Sequence, residues 1–174
     1  MTMKDISALD ELERAVREEP TVIEAAEDRL REQLNSDRPE ERMDAGRALR
    51  AAAEHDPELV EAYEGTLVGF LAEDNGSLRL SGALGLAELS EVAPERLEYA
   101  VPQLVDALEE TVAPSIEEAI VRSLTRIGTV DPEAAATTGS AAARLPEAAL
   151  PTQIAILRPF VGTGAARRDP VDPT

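Results

Sequence analysis

His55 is the only histidine in the chain, and there is no cysteine, so disulfides and thiolate metal sites are excluded. Side-chain chemistry is left to carboxylates, arginines, hydroxyls and this one imidazole. In His55-Asp56-Pro57 the imidazole could serve as a metal ligand or a general base. One imidazole leaves only carboxylates to complete a transition-metal site, however, so a solvent-facing turn residue is the better reading. The pairs Glu40-Glu41 and Glu109-Glu110 could hold a hard cation loosely, but no ligand loop with calcium-type spacing accompanies them. They read as hydrated surface charge. No glycine-rich phosphate loop follows a strand pattern, and no Gly-x-Ser-x-Gly elbow occurs. The expectation is a protein with no catalytic set, no cofactor, no metal and no small-molecule substrate.

The charge balance narrows the partner. Asp and Glu total 35 against 17 Lys and Arg, a net charge of −18. Affinity for phosphate depends on Lys and Arg neutralising it. Here the arginines are scattered as Arg14, Arg17, Arg29, Arg31, Arg38, Arg42 and Arg47, and the nearest cluster is Arg167-Arg168. Nucleic acid is therefore a disfavoured partner. At 43% hydrophobic residues the chain is too apolar for a disordered acidic tail. The acids instead fall between alanines and leucines at helical intervals, as on solvated helix faces. Lys4 is the sole lysine and arginine supplies the other basic positions. Abundant carboxylate, almost no lysine and small core residues resemble proteins of halophiles that keep molar salt in the cytosol, so a haloarchaeal host is expected. Met1-Thr2-Met3-Lys4-Asp5 turns acidic at once, and no uncharged stretch approaches the roughly 20 residues that span a bilayer. The expected location is the cytoplasm, with no membrane partner.

The elements that must position any surface are marked by prolines. Pro20, Pro57, Pro94 and Pro132 are separated by 37, 37 and 38 residues, a period typical of stacked helical hairpins. Proline is tolerated in the first turn of a helix because its missing N–H would have no partner there, so each one ends one helix and opens the next. Eight residues before each lies Leu12, Leu49, Leu86 or Leu124; twelve before lies Ala8, Ala45, Gly82 or Ile120. Three after come Ile23, Val60, Leu97 and Ala135; ten after, Leu30, Leu67, Leu104 and Ala142; fourteen after, Leu34, Leu71, Leu108 and Pro146. These intervals put the side chains on one stripe of each helix. The spacing predicts helices near 4–18, 20–35, 39–55, 57–73, 77–92, 95–111, 115–129, 132–144 and 151–160. Pro102 should kink the sixth helix or delay its start. Gly65-Thr66-Leu67-Val68-Gly69 has the spacing of a close-packing helix motif and predicts local packing. Low aromatic content and abundant alanine suit helices and suit strands poorly, so the fold class is all-α.

Asn75-Gly76-Ser77-Leu78-Arg79-Leu80-Ser81-Gly82-Ala83-Leu84 resembles the opening of a HEAT repeat, and so does Ser36-Asp37-Arg38-Pro39-Glu40-Glu41-Arg42-Met43-Asp44-Ala45-Gly46. The resemblance implies an α-α superhelix, a HEAT-like solenoid of about four helical hairpins. It fits one domain over 4–161, with units near 4–35, 39–73, 77–111 and 115–145 and the further helix 151–160, while the residues from Gly162 onward read as a flexible tail at 162–174. It also implies that Asp37, Arg42, Asn75 and Arg79 bridge neighbouring repeats as a polar ladder. Asp5 and Glu117 replace the arginine in the terminal units, where the pattern weakens. A tetratricopeptide array lacks its shorter period and its aromatic signature here. HEAT-repeat deoxyhypusine hydroxylases hold iron with repeated His-Glu pairs, which this chain lacks. Nothing marks it as a bilin lyase of the HEAT-like type, and a DNA-binding HEAT-like protein would need a basic face.

The family's implication for function is a partner-binding face lined by the second helix of each hairpin. Of four aromatic residues, Tyr63, Phe70 and Tyr99 fall in second helices of the central units, and Thr66, Arg96 and Gln103 could share their groove. Core packing is the competing reading for all three rings, and the stronger one for Phe70. The expected function is a non-catalytic adapter or scaffold that binds another protein. The alternative is a regulatory subunit of an enzyme or of a taxis or motility complex.

Overall fold

The computed structural model describes residues 10–144, and every element among them is helical. In chain order these are α1 (Asp10–Glu18), α2 (Val22–Ala25), α3 (Glu27–Leu34), α4 (Pro39–His55), a 3-10 segment (Pro57–Tyr63), α5 (Glu64–Phe70), α6 (Gly76–Val92), a second 3-10 segment (Pro94–Ala100), α7 (Val101–Glu110), α8 (Pro114–Val130) and α9 (Pro132–Arg144). The expected helix at 151–160, the tail at 162–174, Ala8 and Pro146 lie outside the described residues.

The leucine eight before each proline is fully buried in every unit: Leu12, Leu49, Leu86 and Leu124. Those helices, α1, α4, α6 and α8, form a row in which each packs on the next in chain order. Small side chains let the row close up. Ala45, Ala48, Ala52, Ala83 and Ala87 have no solvent exposure. At Gly82 an added Cβ would fall 2.6 Å from the Leu67 carbonyl oxygen and 2.9 Å from the Phe70 Cβ. α5 therefore lies directly against the α6 backbone, and a close approach by backbone requires glycine there.

The second helices differ from expectation. The first two were expected as continuous helices and the third with a kink or a late start at Pro102, and each is broken six residues after its proline, at Ala26, Tyr63 and Ala100. These residues sit near φ −101° ψ 10°, φ −109° ψ 9° and φ −87° ψ −5°, the region between helix and strand where a chain changes direction. The reason is visible in the packing. The Pro57–Tyr63 segment touches both α4 and α6, whereas α5 continues onto α6. The Pro94–Ala100 segment likewise touches α6 and α8, and α7 continues onto α8. The break carries the second helix from its own first helix onto that of the following unit. In the fourth unit no further first helix follows among the described residues, and α9 runs unbroken against α8 and α7.

Two smaller expectations bear on this. α7 does start late, at Val101, as expected at Pro102, but unit two breaks at the same register with Gly65 in the corresponding place, so the proline is not what sets the delay. Pro102 is simply compatible, since it occupies the first turn of α7, where a backbone N–H has no intrahelical partner. The Gly65–Gly69 spacing does not mediate packing within the described chain. Both glycines are exposed, and a Cβ at either would meet nothing within 4 Å. α5 buries the opposite side, with Leu67, Val68 and Phe70.

Polar side chains close several helix ends. The Asn75 side-chain oxygen accepts from the Ser77 and Leu78 amides at 2.9 and 3.3 Å and caps α6. Asp56 and Asp131, each one residue before a unit proline, accept from the Glu58 amide at 3.1 Å and the Glu133 amide at 2.9 Å. Ala93 has no side-chain oxygen to do the same.

Candidate interaction surface

The first helices bury most of their central residues against one another, and the residues expected to meet a partner lie on the second helices. In units one to three the residue four after each proline is Glu24, Glu61 or Glu98, which forms an acidic row across α2 and the two 3-10 segments. Seven after each come Glu27, Glu64 and Val101. Arg96 crosses between units and closes on the first complete pair available to it. Its Nε donates to Glu64 at 3.0 Å, and its Nη1 pairs with Glu61. The hydrogen bond to the Glu64 carboxylate holds the Arg96 guanidinium above its ordinary pKa, and Glu61 adds to the effect.

Tyr63 and Tyr99 flank this arrangement. Tyr63 is half-buried against the core, and its phenol is raised above the ordinary value by burial, then by Glu27, with Arg31 opposing. Tyr99 is 52% exposed and is raised by burial and Glu64 against the opposing Arg96. Both hydroxyls therefore stay protonated, and able to donate, further into the alkaline range than free tyrosine. Gln103 is exposed and Thr66 half-buried. Phe70 does not belong with them: at 4% exposure it packs in the core beside Gly46 and Gly82, where an aromatic body finds the most contact.

Between the second helices of units one and two runs an open groove of about 790 Å³. Glu24 and Glu27 of unit one, Leu59 and Tyr63 of unit two and Arg96 of unit three line it. Asp56, Glu58 and Glu61 add further carboxylates to the wall.

Two of the residues expected in a polar ladder, Arg42 and Arg79, both meet Glu73. Arg42 pairs with the Glu73 side chain, and Arg79 donates to the Glu73 backbone oxygen at 3.1 Å. The two arginines therefore converge on the loop after α5. The Asn75 amide also reaches the Met43 sulfur of α4 at 3.1 Å. Asp37 is exposed, and its turn is organised instead by Ser36, whose hydroxyl accepts from the Arg38 amide at 3.1 Å and donates to Glu41. Other arginines tie the first-helix row together. Arg47 pairs with Glu13 at 3.3 Å, Arg122 pairs with Glu88 at 2.9 Å, and Arg126 pairs with Glu91 and donates to the Ala87 carbonyl at 2.8 Å. Register was the available signal for these pairs, since each joins residues about one repeat apart.

His55 is exposed at the end of α4. Among the described residues no group of three or more potential metal ligands converges, and no helix is long and apolar enough to cross a membrane. No protein-family model matches the sequence, and no curated protein is significantly similar to it.

Proposed function

We propose that the chain is a protein-interaction adapter, a HEAT-like superhelix of about four hairpins that takes a partner protein on the face formed by its second helices. The observation that carries this reading is the contrast between the two rows. The first helices are packed on one another in chain order, while the second helices leave an open groove edged by Tyr63 and by Arg96. Aromatic rings and arginine are the residue types most often found as binding anchors.

The near absence of lysine and the net charge of −18 support a high-salt cytoplasm as the setting, in a haloarchaeal cell. At about 1 M salt the screening length is only about 3 Å, so recognition there rests on contact and not on long-range steering. Short arginine–carboxylate pairs and apolar fit satisfy that condition.

The test is affinity capture with the immobilised chain from a lysate held at molar salt. A single stoichiometric protein partner is the expected result, with capture reduced in the double variant Tyr63→Ala, Tyr99→Ala while its helical circular dichroism is unchanged. Recovery of nucleic acid or a small ligand in place of a protein overturns the reading. Undiminished capture by a folded double variant moves the partner to another face. A regulatory subunit of an enzyme or motility complex is the second reading, distinguished by whether the captured partner is itself an enzyme or a motility component.

A further inference from the structure

The repeat contains its own control for what the groove lacks. At the junction of units two and three, Glu61 and Glu64 lie four and seven residues after Pro57, and Arg96, two after Pro94, bonds to both. At the junction of units one and two the same two carboxylates recur as Glu24 and Glu27, four and seven after Pro20. The residue two after Pro57 is Leu59, so no arginine of unit two takes the corresponding place. This junction is where the groove lies. Glu27 keeps a pair with Arg31 in its own helix, but both side chains are more than half exposed, the kind of pair that contributes least. Five carboxylates (Glu24, Glu27, Asp56, Glu58 and Glu61) line the groove against Arg96, which is already held by Glu61 and Glu64.

We propose that the groove between units one and two binds an arginine-bearing segment of the partner protein, whose guanidinium sits between Glu24 and Glu27 as Arg96 sits between Glu61 and Glu64. The inference rests on the protein-binding reading above and names the chemistry of the bound segment. Leu59 and Tyr63 supply an apolar wall for the methylene stem, which arginine covers readily while its head stays among acceptors. A planar guanidinium has donors in a fixed fork that can serve two carboxylates at once, whereas an ammonium acts as a point charge. The partner's segment thus completes a contact that the chain makes for itself one unit later.

The measurement is fluorescence anisotropy with a labelled alanine peptide carrying arginine at both ends and in the middle, and with its lysine counterpart. A salt concentration of about 1 M KCl suppresses general attraction to the acidic chain. The wild-type chain is expected to bind the arginine peptide, and the lysine peptide more weakly. Leu59→Arg should fill the site from within and weaken arginine-peptide binding by about tenfold, the loss of charge-assisted hydrogen bonds. The pair Glu24→Gln, Glu27→Gln, both exposed residues, should weaken it similarly. The distant pair Glu40→Gln, Glu41→Gln should leave affinity within about twofold, as expected for screened charges. Circular dichroism establishes folding of each variant, and the glutamine pair decides the matter if Leu59→Arg does not fold. No binding to wild type, equal binding by the lysine peptide, equal binding by folded Leu59→Arg, or an equal loss at Glu40 and Glu41 overturns the proposal. Capture of the same partner protein by wild type and Leu59→Arg would leave the interaction reading intact and remove this groove. Failure to capture any protein would count against the interaction reading, while the peptide measurement still decides the groove.

Discussion

The first-helix row and the second-helix row carry the same repeat period, yet they solve different problems. α4, α6 and α8 are each 17 residues long and unbroken, and their alanines and glycines bring backbones together. α2 with α3, and the two 3-10 segments with α5 and α7, are broken at one register because each must leave its own hairpin and lean on the next. The regular row buries its central residues against its neighbours. The broken row retains carboxylates, two tyrosines and an open groove. The two rows thus differ in what they bury and what they leave open, and the difference can be tested by substitution.

Leu86→Ala should produce the largest effect. Leu86 is wholly buried in α6, between α4 and α8, and its truncation should cost about 3 kcal/mol through lost transfer energy and a residual cavity. Leu59→Ala, in the half-buried opening of a second helix, should cost about 1 kcal/mol, since much of its surface already meets water. Urea midpoints with unchanged slopes would measure both. Equal shifts would erase the distinction between the rows. A sharper version uses glycine. Gly82→Ala should destabilise by about 2 kcal/mol, because the new methyl meets a carbonyl of α5 that has no freedom to withdraw. Gly69→Ala, on the open side of α5, should stabilise by about 0.5–1 kcal/mol by removing backbone entropy from the unfolded chain. The same substitution in two adjacent helices is therefore expected to change sign.

Most of the regular row was legible in the residues. The proline period located its helices, and the leucine eight before each proline is buried in every unit. Apart from the late start expected at Pro102, the breaks in the other row were not legible, and the reason is physical. Val60 lies before the break and Leu67 after it, seven residues apart, and both are fully buried, so the apolar spacing carries no mark of the interruption. Ala26, Tyr63 and Ala100 share no side-chain property that would announce it. Tyr63, Tyr99, Thr66, Arg96 and Gln103 do lie on second-row segments with some exposure, whereas Phe70 turned inward because α5 has its buried side there. Glu61 and Glu64 were missed as partners of Arg96. A period of 37 residues places them one unit back, but an isolated glutamate in so acidic a chain gives no cue.

Asn75→Ala tests the joint between the rows at smaller cost. It removes the oxygen that receives the Ser77 and Leu78 amides and should lower stability by about 1 kcal/mol, the usual loss for a side-chain cap. Asp37→Ala, exposed in the corresponding turn of the preceding unit, should change the urea midpoint very little. A loss at Asp37 comparable to that at Asn75 would mean that the ladder extends through both turns, and the two junctions would no longer differ.

The subtlest expectation concerns the two phenols, which report on the second row alone. The chain has two tyrosines and no tryptophan, so ultraviolet difference absorbance follows their ionisation without interference. Both should ionise above the free tyrosine range, Tyr63 because of burial and Glu27, Tyr99 because of burial and Glu64. A group whose folded-state pKa lies above its unfolded value binds its proton more tightly in the native chain. Its contribution to stability is therefore complete below about pH 10, the unfolded value, and is lost as pH rises through the folded value. Glu27→Gln removes a negative neighbour and should move the Tyr63 transition downward while leaving that of Tyr99 in place, because Glu64 is unchanged. Tyr63→Phe and Tyr99→Phe assign the two transitions. A downward shift of both tyrosines in Glu27→Gln would show that the acidic row acts as one field, and the local carboxylate pairs on which the contrast between neighbouring junctions depends would lose their separate meaning.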